Sequence, residues 1–285
     1  FYILSSFFNR MLYVNKVISG FFTAAKETGR RIKHHYGWFS LMFVLEILFL
    51  LSFIGVFVYY QINLAFNQEQ LFGLMEQANL NATQLQEGGT FMTNQAISSL
   101  ISSFQQIINN FVWMLYALFG VFLLFGGLIW GAGQKIVGGK FWHHFLKHSL
   151  LTMVFIFPFI LLGHLLLRKI LYVAEFDLGW IINSGIALFI ISFYFYLIGC
   201  GELNSRVKEI FLALGRKGIK KFYYYFAVLL VLVTFLAGVS YLVYLSAEGN
   251  PLILIGELIL LCLGIIIFKI YLICLSMGIS EKKPF

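Results

Sequence analysis

Residues 61–110 read QINLAFNQEQLFGLMEQANLNATQLQEGGTFMTNQAISSLISSFQQIINN. The stretch is rich in Gln and Asn, carries Glu69, Glu76 and Glu87, and contains neither Lys nor Arg. It lies between two strongly apolar segments, and no Lys or Arg occurs between Lys33 and Lys135. Basic residues mark the connections that stay on the cytoplasmic side of a membrane. Residues 61–110 are therefore read as the part sent across, and the orientation of the rest follows from them.

Composition supports a membrane. The 285 residues are 60% hydrophobic and 11% charged, whereas a soluble domain is about 25% charged. A water-facing chain of this size has no core large enough for so much apolar surface, so lipid is the natural solvent. The formal charge of +8 is not a nucleic-acid signal. The Lys and Arg residues stand in short blocks beside apolar segments, where they meet anionic lipid headgroups. Cys200, Cys262 and Cys274 show no C-x-x-C pairing and are read as small buried apolar residues.

The expected fold is all-α: six transmembrane helices, cytoplasmic amphipathic helices, and an extracytoplasmic helical hairpin between spans 1 and 2. Residues 1–38 form the first amphipathic segment. Val14, Val17, Ile18, Phe21 and Ala25 recur at helical spacing among Lys16, Lys26, Arg30, Arg31 and Lys33. The chain begins at Phe1, which leaves room for a preceding piece, and this basic stretch does not read as a cleavable signal peptide. Span 1 is residues 39–60, the hairpin 61–110 and span 2 residues 111–130. The hairpin turn is placed at Asn81–Thr90, which holds a Gly pair. A basic connection, 132–149, precedes span 3 (149–167), in which Pro158 predicts a kink. Span 4 is residues 181–198. A second basic amphipathic segment, 201–221, leads to span 5 (222–245), span 6 (252–275) and a tail (276–285). Both termini are then cytoplasmic. In this topology 17 of the 20 Lys and Arg residues lie inside and two, Arg168 and Lys169, lie outside.

Each odd-numbered span is introduced by a basic and aromatic block: Arg30–Phe39, Lys140–Phe145 and Lys217–Phe226. The pattern is either a threefold repeat or the shared need of every cytoplasmic entry for such residues. The entry Phe21-Phe-Thr-Ala-Ala-Lys-Glu-Thr-Gly-Arg-Arg-Ile-Lys33 has an echo at Ile210-Phe-Leu-Ala-Leu-Gly-Arg-Lys-Gly-Ile-Lys220. In this the chain resembles uncharacterised six-span integral membrane families related to the membrane domain of some glycerophosphodiester phosphodiesterases. The resemblance covers most of the chain and implies a six-span fold without catalytic residues. The Gln/Asn-rich insertion departs from that group's short first loop.

Charges inside spans are the first functional candidates. Glu46 and Lys269 each lie roughly 10 Å from the cytoplasmic end of their spans, counted at 1.5 Å per residue, and are expected to pair. His164 and Glu257 sit at matched depth near the outer end. They are either a titratable pair or two separate interfacial residues. Gly127 and Gly131 form a G-x-x-x-G that permits close helix approach. Ile97, Leu100, Ile101, Phe104, Ile107, Ile108 and Phe111 form an apolar stripe, which is expected to face a partner. Asn81-Ala-Thr83 is a glycosylation sequon. His143, His144 and His148 have no Cys or carboxylate beside them and are read as interfacial anchors, with no metal. Gly133–Lys140 only approximates a phosphate loop: its Lys is one position late and no Ser or Thr follows. No cofactor is expected. The function expected is a non-enzymatic integral membrane component that assembles with partner proteins, a second copy or lipids, including anionic headgroups, through its outer helical hairpin and cytoplasmic amphipathic helices. The alternative is a transporter or permease subunit, such as the membrane half of an ABC-2-like exporter.

Overall fold

The computed structural model describes residues 19–86, 94–170, 178–220, 222–246 and 251–281. Several expectations therefore lie outside the described residues: the stripe residues Val14, Val17 and Ile18, the Gly88–Gly89 turn, the connections 171–177 and 247–250, and the tail 282–285. Every regular element among the described residues is helical. Helix α1 covers residues 19–34, and α2 follows at Tyr36–Gln86 after a break at His35 alone. Then come α3 (Asn94–Ile136), α4 (Phe141–Phe155), α5 (Phe157–Ile170) and α6 (Leu178–Gly201). A short α7 (Val207–Ala213) runs into a π-helical turn, Leu214–Ile219, and α8 (Phe222–Ser246) and α9 (Pro251–Glu281) complete the chain. Six helical stretches are long and apolar enough to cross a membrane: Tyr36–Glu76, Ser98–Ile136, Phe141–Lys169, Ile182–Gly201, Tyr225–Ser246 and Ile253–Met277. The chain is an all-α, multi-pass membrane protein.

Helices α2 and α3 have 51 and 43 residues. At 1.5 Å per residue they are about 77 and 65 Å long, each at least twice the roughly 30 Å of bilayer hydrocarbon. The spans thus continue into the hairpin arms without a break. Residues 81–86, expected in the turn, belong to α2. Other boundaries shift as well. The connection expected at 132–149 shrinks to residues 137–140, because α3 runs on to Ile136 and α4 begins at Phe141. The third span is two helices, α4 and α5, broken at Ile156. Pro158 has no N–H to donate to the preceding turn. The segment 201–221 is α7 plus the π turn, not one amphipathic helix.

The chain divides into two compact units. The first comprises Phe1–Phe49, Leu123–Ile156 and Ala187–Phe285. Met42, Ala132, Ile136, Ile266, Ile270 and Ile273 form its core and are fully buried. Gly133 lets α3 approach α2 and α9, since a Cβ there would stand 3.3 Å from both Met42 Cε and Ile273 Cδ1. The second unit comprises Leu50–Phe122 and Phe157–Ile186. Among the covered or half-covered positions are Tyr60, Leu64, Asn67, Leu71 and Leu74 on its α2 arm and Leu100, Ser103, Ile107, Asn110 and Met114 on α3. These positions are three and four apart, a spacing that lies along one face of a helix.

Candidate functional site

The first unit carries a layer of buried polar side chains where the spans end beside Lys135, Lys140 and Lys147. A helix leaves its last four carbonyls without partners, and this layer supplies them. α3 ends in a Schellman motif: Gly139 N–H donates to Gln134 O (2.8 Å) and Gly138 N–H to Lys135 O (3.1 Å). Gly138 has φ +100, which favours a residue without Cβ. Arg31 Nη1 reaches from α1 to Val137 O at 3.1 Å. On the same helix, hydrogen bonds from Arg30 and then Arg31 hold the Glu27 carboxyl below its ordinary range. The support this gives α1 is present above the normal carboxylate pKa and is lost as pH falls through the lowered one.

The end of α6 is closed from two sides. Gln134 Nε2 donates to Cys200 O (3.2 Å), and Asn204 Nδ2 donates to Gln134 Oε1 (2.7 Å). From α4, Lys147 Nζ donates to Leu203 O (2.9 Å) and Ser205 O (2.6 Å). Glu202, just past α6, accepts from Lys217 in the π turn and from Ser276 on α9. Lys217 also donates to Ser276 O at 3.1 Å, and Tyr194 Oη to Gly218 O at 2.8 Å. The π turn is thus tied to α6 and α9 by the Glu202 carboxylate and by two bonds to backbone carbonyls, Ser276 O and Gly218 O. Ile210 and Leu214 of segment 201–221 are buried while Val207 and Phe211 stay exposed, so half of its apolar stripe is used internally.

Glu46 on α2 is 1% exposed. Lys269 Nζ on α9 lies 2.7 Å from its Oε2 and 3.1 Å from its Oε1. A carboxylate and an ammonium at this depth neutralise each other, and the contact joins the first span to the last. Gly127 and Gly131 pack on α4: a Cβ at Gly127 would stand 2.7 Å from Phe145 Cδ2, and one at Gly131 would stand 3.2 Å from Phe141 O. At their neighbour Gly126 an added Cβ would stand 2.9 Å from His148 Cε1. The G-x-x-x-G therefore seats the entry of the third span. Gly127→Leu is expected to cost about 1–3 kcal/mol by overpacking, read as a lower unfolding midpoint in mild detergent. Gly120→Leu, where an added Cβ meets nothing within 4 Å, should be close to neutral.

Two of the three clustered histidines are not interfacial. His144 and His148 are buried, and His148 Nε2 lies 2.6 Å from Tyr196 Oη on α6. His148 fills the α4–α6 contact and His144 lies against Gly139, because α4 starts eight residues before the expected span and takes them into the bundle. Only His143 stays exposed. In the second unit, His164 Nδ1 is 2.7 Å from Tyr116 Oη. In the first, Glu257 Oε1 accepts from Ser246 Oγ at 2.7 Å. Each has its own partner. Ile107 and Ile108 are covered by the chain itself, Leu100 and Phe111 are half covered, and Ile101 and Phe104 are exposed at 53% and 39%. Ser103 is buried beside them, so the covered face is turned slightly away from the apolar stripe. The side chains of Ile97 and Asn81 lie outside the described residues, although both positions are helical.

Sequence reasoning did not single out Gln134, Lys147, Glu202, Lys217 or Ser276 as site residues. An acid, Glu202, at the end of an apolar run and followed by Arg206 and Lys208 was the one available signal. No protein-family model matches the chain, and comparison with characterised proteins and with solved structures returns no significant match.

Proposed function

We propose that this protein is a non-enzymatic component of the cell membrane, with both termini cytoplasmic, that assembles with a protein partner or a second copy through the arms of α2 and α3. One observation carries the reading. Phe66 lies 30 residues beyond Tyr36, and Phe104 lies 32 residues before Ile136. At 1.5 Å per residue both are more than roughly 40 Å along their helices, past the hydrocarbon. Yet Phe66, Phe72, Ile101 and Phe104 are exposed. Large apolar side chains that leave lipid and still lack cover mark an interaction surface. Ile101→Asn with Phe104→Asn is expected to weaken association at least tenfold, since burying each such side chain is worth about 1.5–3 kcal/mol. Native mass spectrometry of the gently extracted full chain reads this as loss of the complex, while the monomer keeps its unfolding midpoint. An unchanged complex rules out the arms as the assembly surface.

The second reading is a transporter or permease subunit, for example the membrane half of an ABC-2-like exporter. The buried Glu46–Lys269 pair favours it, because ionisable groups inside spans mark ion and proton routes as well as packing contacts.

A further inference from the structure

A groove of about 680 Å³ runs between α1, α8 and α9. Its walls are apolar: Phe21, Ala25 and Ile32 from α1, Val231 and Phe235 from α8, and Ile267 from α9 stand for the whole. Thr28 also lines it, but its hydroxyl donates to Ala24 O at 2.8 Å within its own helix. Val231 and Ile267 are 66% and 45% exposed, so the groove opens along the sides of two spans, where lipid surrounds the protein. The volume is in the range of small-molecule sites.

Charge is placed along one rim. On α1 the groove residues recur at helical spacing, from Phe21 through Ala25, Thr28 and Gly29 to Ile32. Lys26 and Lys33, seven apart, share the adjacent face with Phe22 and Gly29, and both are exposed. Glu27, the acid on α1, faces the other flank, held by Arg30 and Arg31. An apolar slot open to lipid, with two cations on its rim, is complementary to one chain and the phosphate of an anionic phospholipid. We infer that the groove between α1, α8 and α9 binds one anionic phospholipid, an acyl chain lying along Val231 and Ile267 and the phosphate meeting Lys26 and Lys33. The site goes beyond the assembly reading and does not depend on the arms.

The glycines provide a plug. A Cβ at Gly29 meets nothing within 4 Å, although Gly29 lines the groove, so Gly29→Trp fills the slot without forcing the backbone. The test is native mass spectrometry of the delipidated full chain, titrated with phosphatidylglycerol and with phosphatidylcholine of the same chains. One phosphatidylglycerol is expected to be retained in preference to phosphatidylcholine. Lys26→Gln with Lys33→Gln should cut that preference about 30-fold, and Gly29→Trp should abolish retention at an unchanged unfolding midpoint. Equal retention of both lipids, or retention untouched by Gly29→Trp, means ordinary boundary lipid and overturns the proposal. Dimers that persist after delipidation and vanish with Gly29→Trp assign the groove to a second copy and also overturn it. If Gly29→Trp lowers the midpoint, Gly29→Leu with the same titration decides. Loss of the complex in the arm variants, with lipid retention intact, separates this site from the proposed function.

Discussion

Glu46→Ala is expected to destabilise the protein by about 3–5 kcal/mol, the cost of leaving one partner of a buried ion pair alone. Lys269 would remain within the bundle, its side chain 15% exposed, with its carboxylate gone. Its long stem can carry the ammonium toward the headgroups, which places the expected loss at the lower end. The loss is read as a lower unfolding midpoint in mild detergent, and Lys269→Met should fall by a comparable amount. The double variant, Glu46→Leu with Lys269→Met, should recover most of it, because apolar residues of similar volume replace a buried pair with little net cost. Two single losses that simply add would show that the residues are not coupled. The double variant also separates the two functional readings. Proteoliposomes carrying it should show the same proton flux as the parent if the pair only closes α2 on α9, and loss of that flux in a stably folded protein would favour transport.

Glu202→Ala is the second large effect. Lys217 loses its carboxylate and keeps only Ser276 O, and the Ser276 hydroxyl loses its acceptor, in a place where the side chains are nearly covered. The expected cost is about 2–4 kcal/mol, from a buried ammonium without its counter-charge and an unpaired hydroxyl together. The damage should be local. Hydrogen exchange across Leu214–Ile219 should rise well above that in the cores of α8 and α9, since the π turn loses its carboxylate tie to α6 and α9. Glu202→Gln should be milder, because its amide oxygen still accepts from Ser276. If exchange across the π turn stays as in the parent, the turn is held by Tyr194 and its own backbone instead.

The sequence alone determined the class of fold. Apolar runs of about 20 residues are local sums, so six of them can be counted without knowing which helix lies beside which. The helical periodicity from Ile97 to Phe111 is equally local, and α3 runs through it into span 2. Depth arithmetic also points to Glu46 and Lys269, because a charge in lipid needs a partner, and the two are in contact across 223 positions. Tertiary structure alone decided which face of each helix is covered and which polar groups meet. Ser103 is buried and Phe104 is not, since the face of an arm is chosen by its neighbour and not by its own hydropathy. His144 and His148 look interfacial by composition, but lie inside because α4 begins early and α6 lies beside it. Glu202 and Ser276 are 74 positions apart, and each is unremarkable until the ends of α6 and α9 are set side by side. A polar residue's need for a partner is written in the chain; which partner meets it depends on the packing of helices distant in sequence.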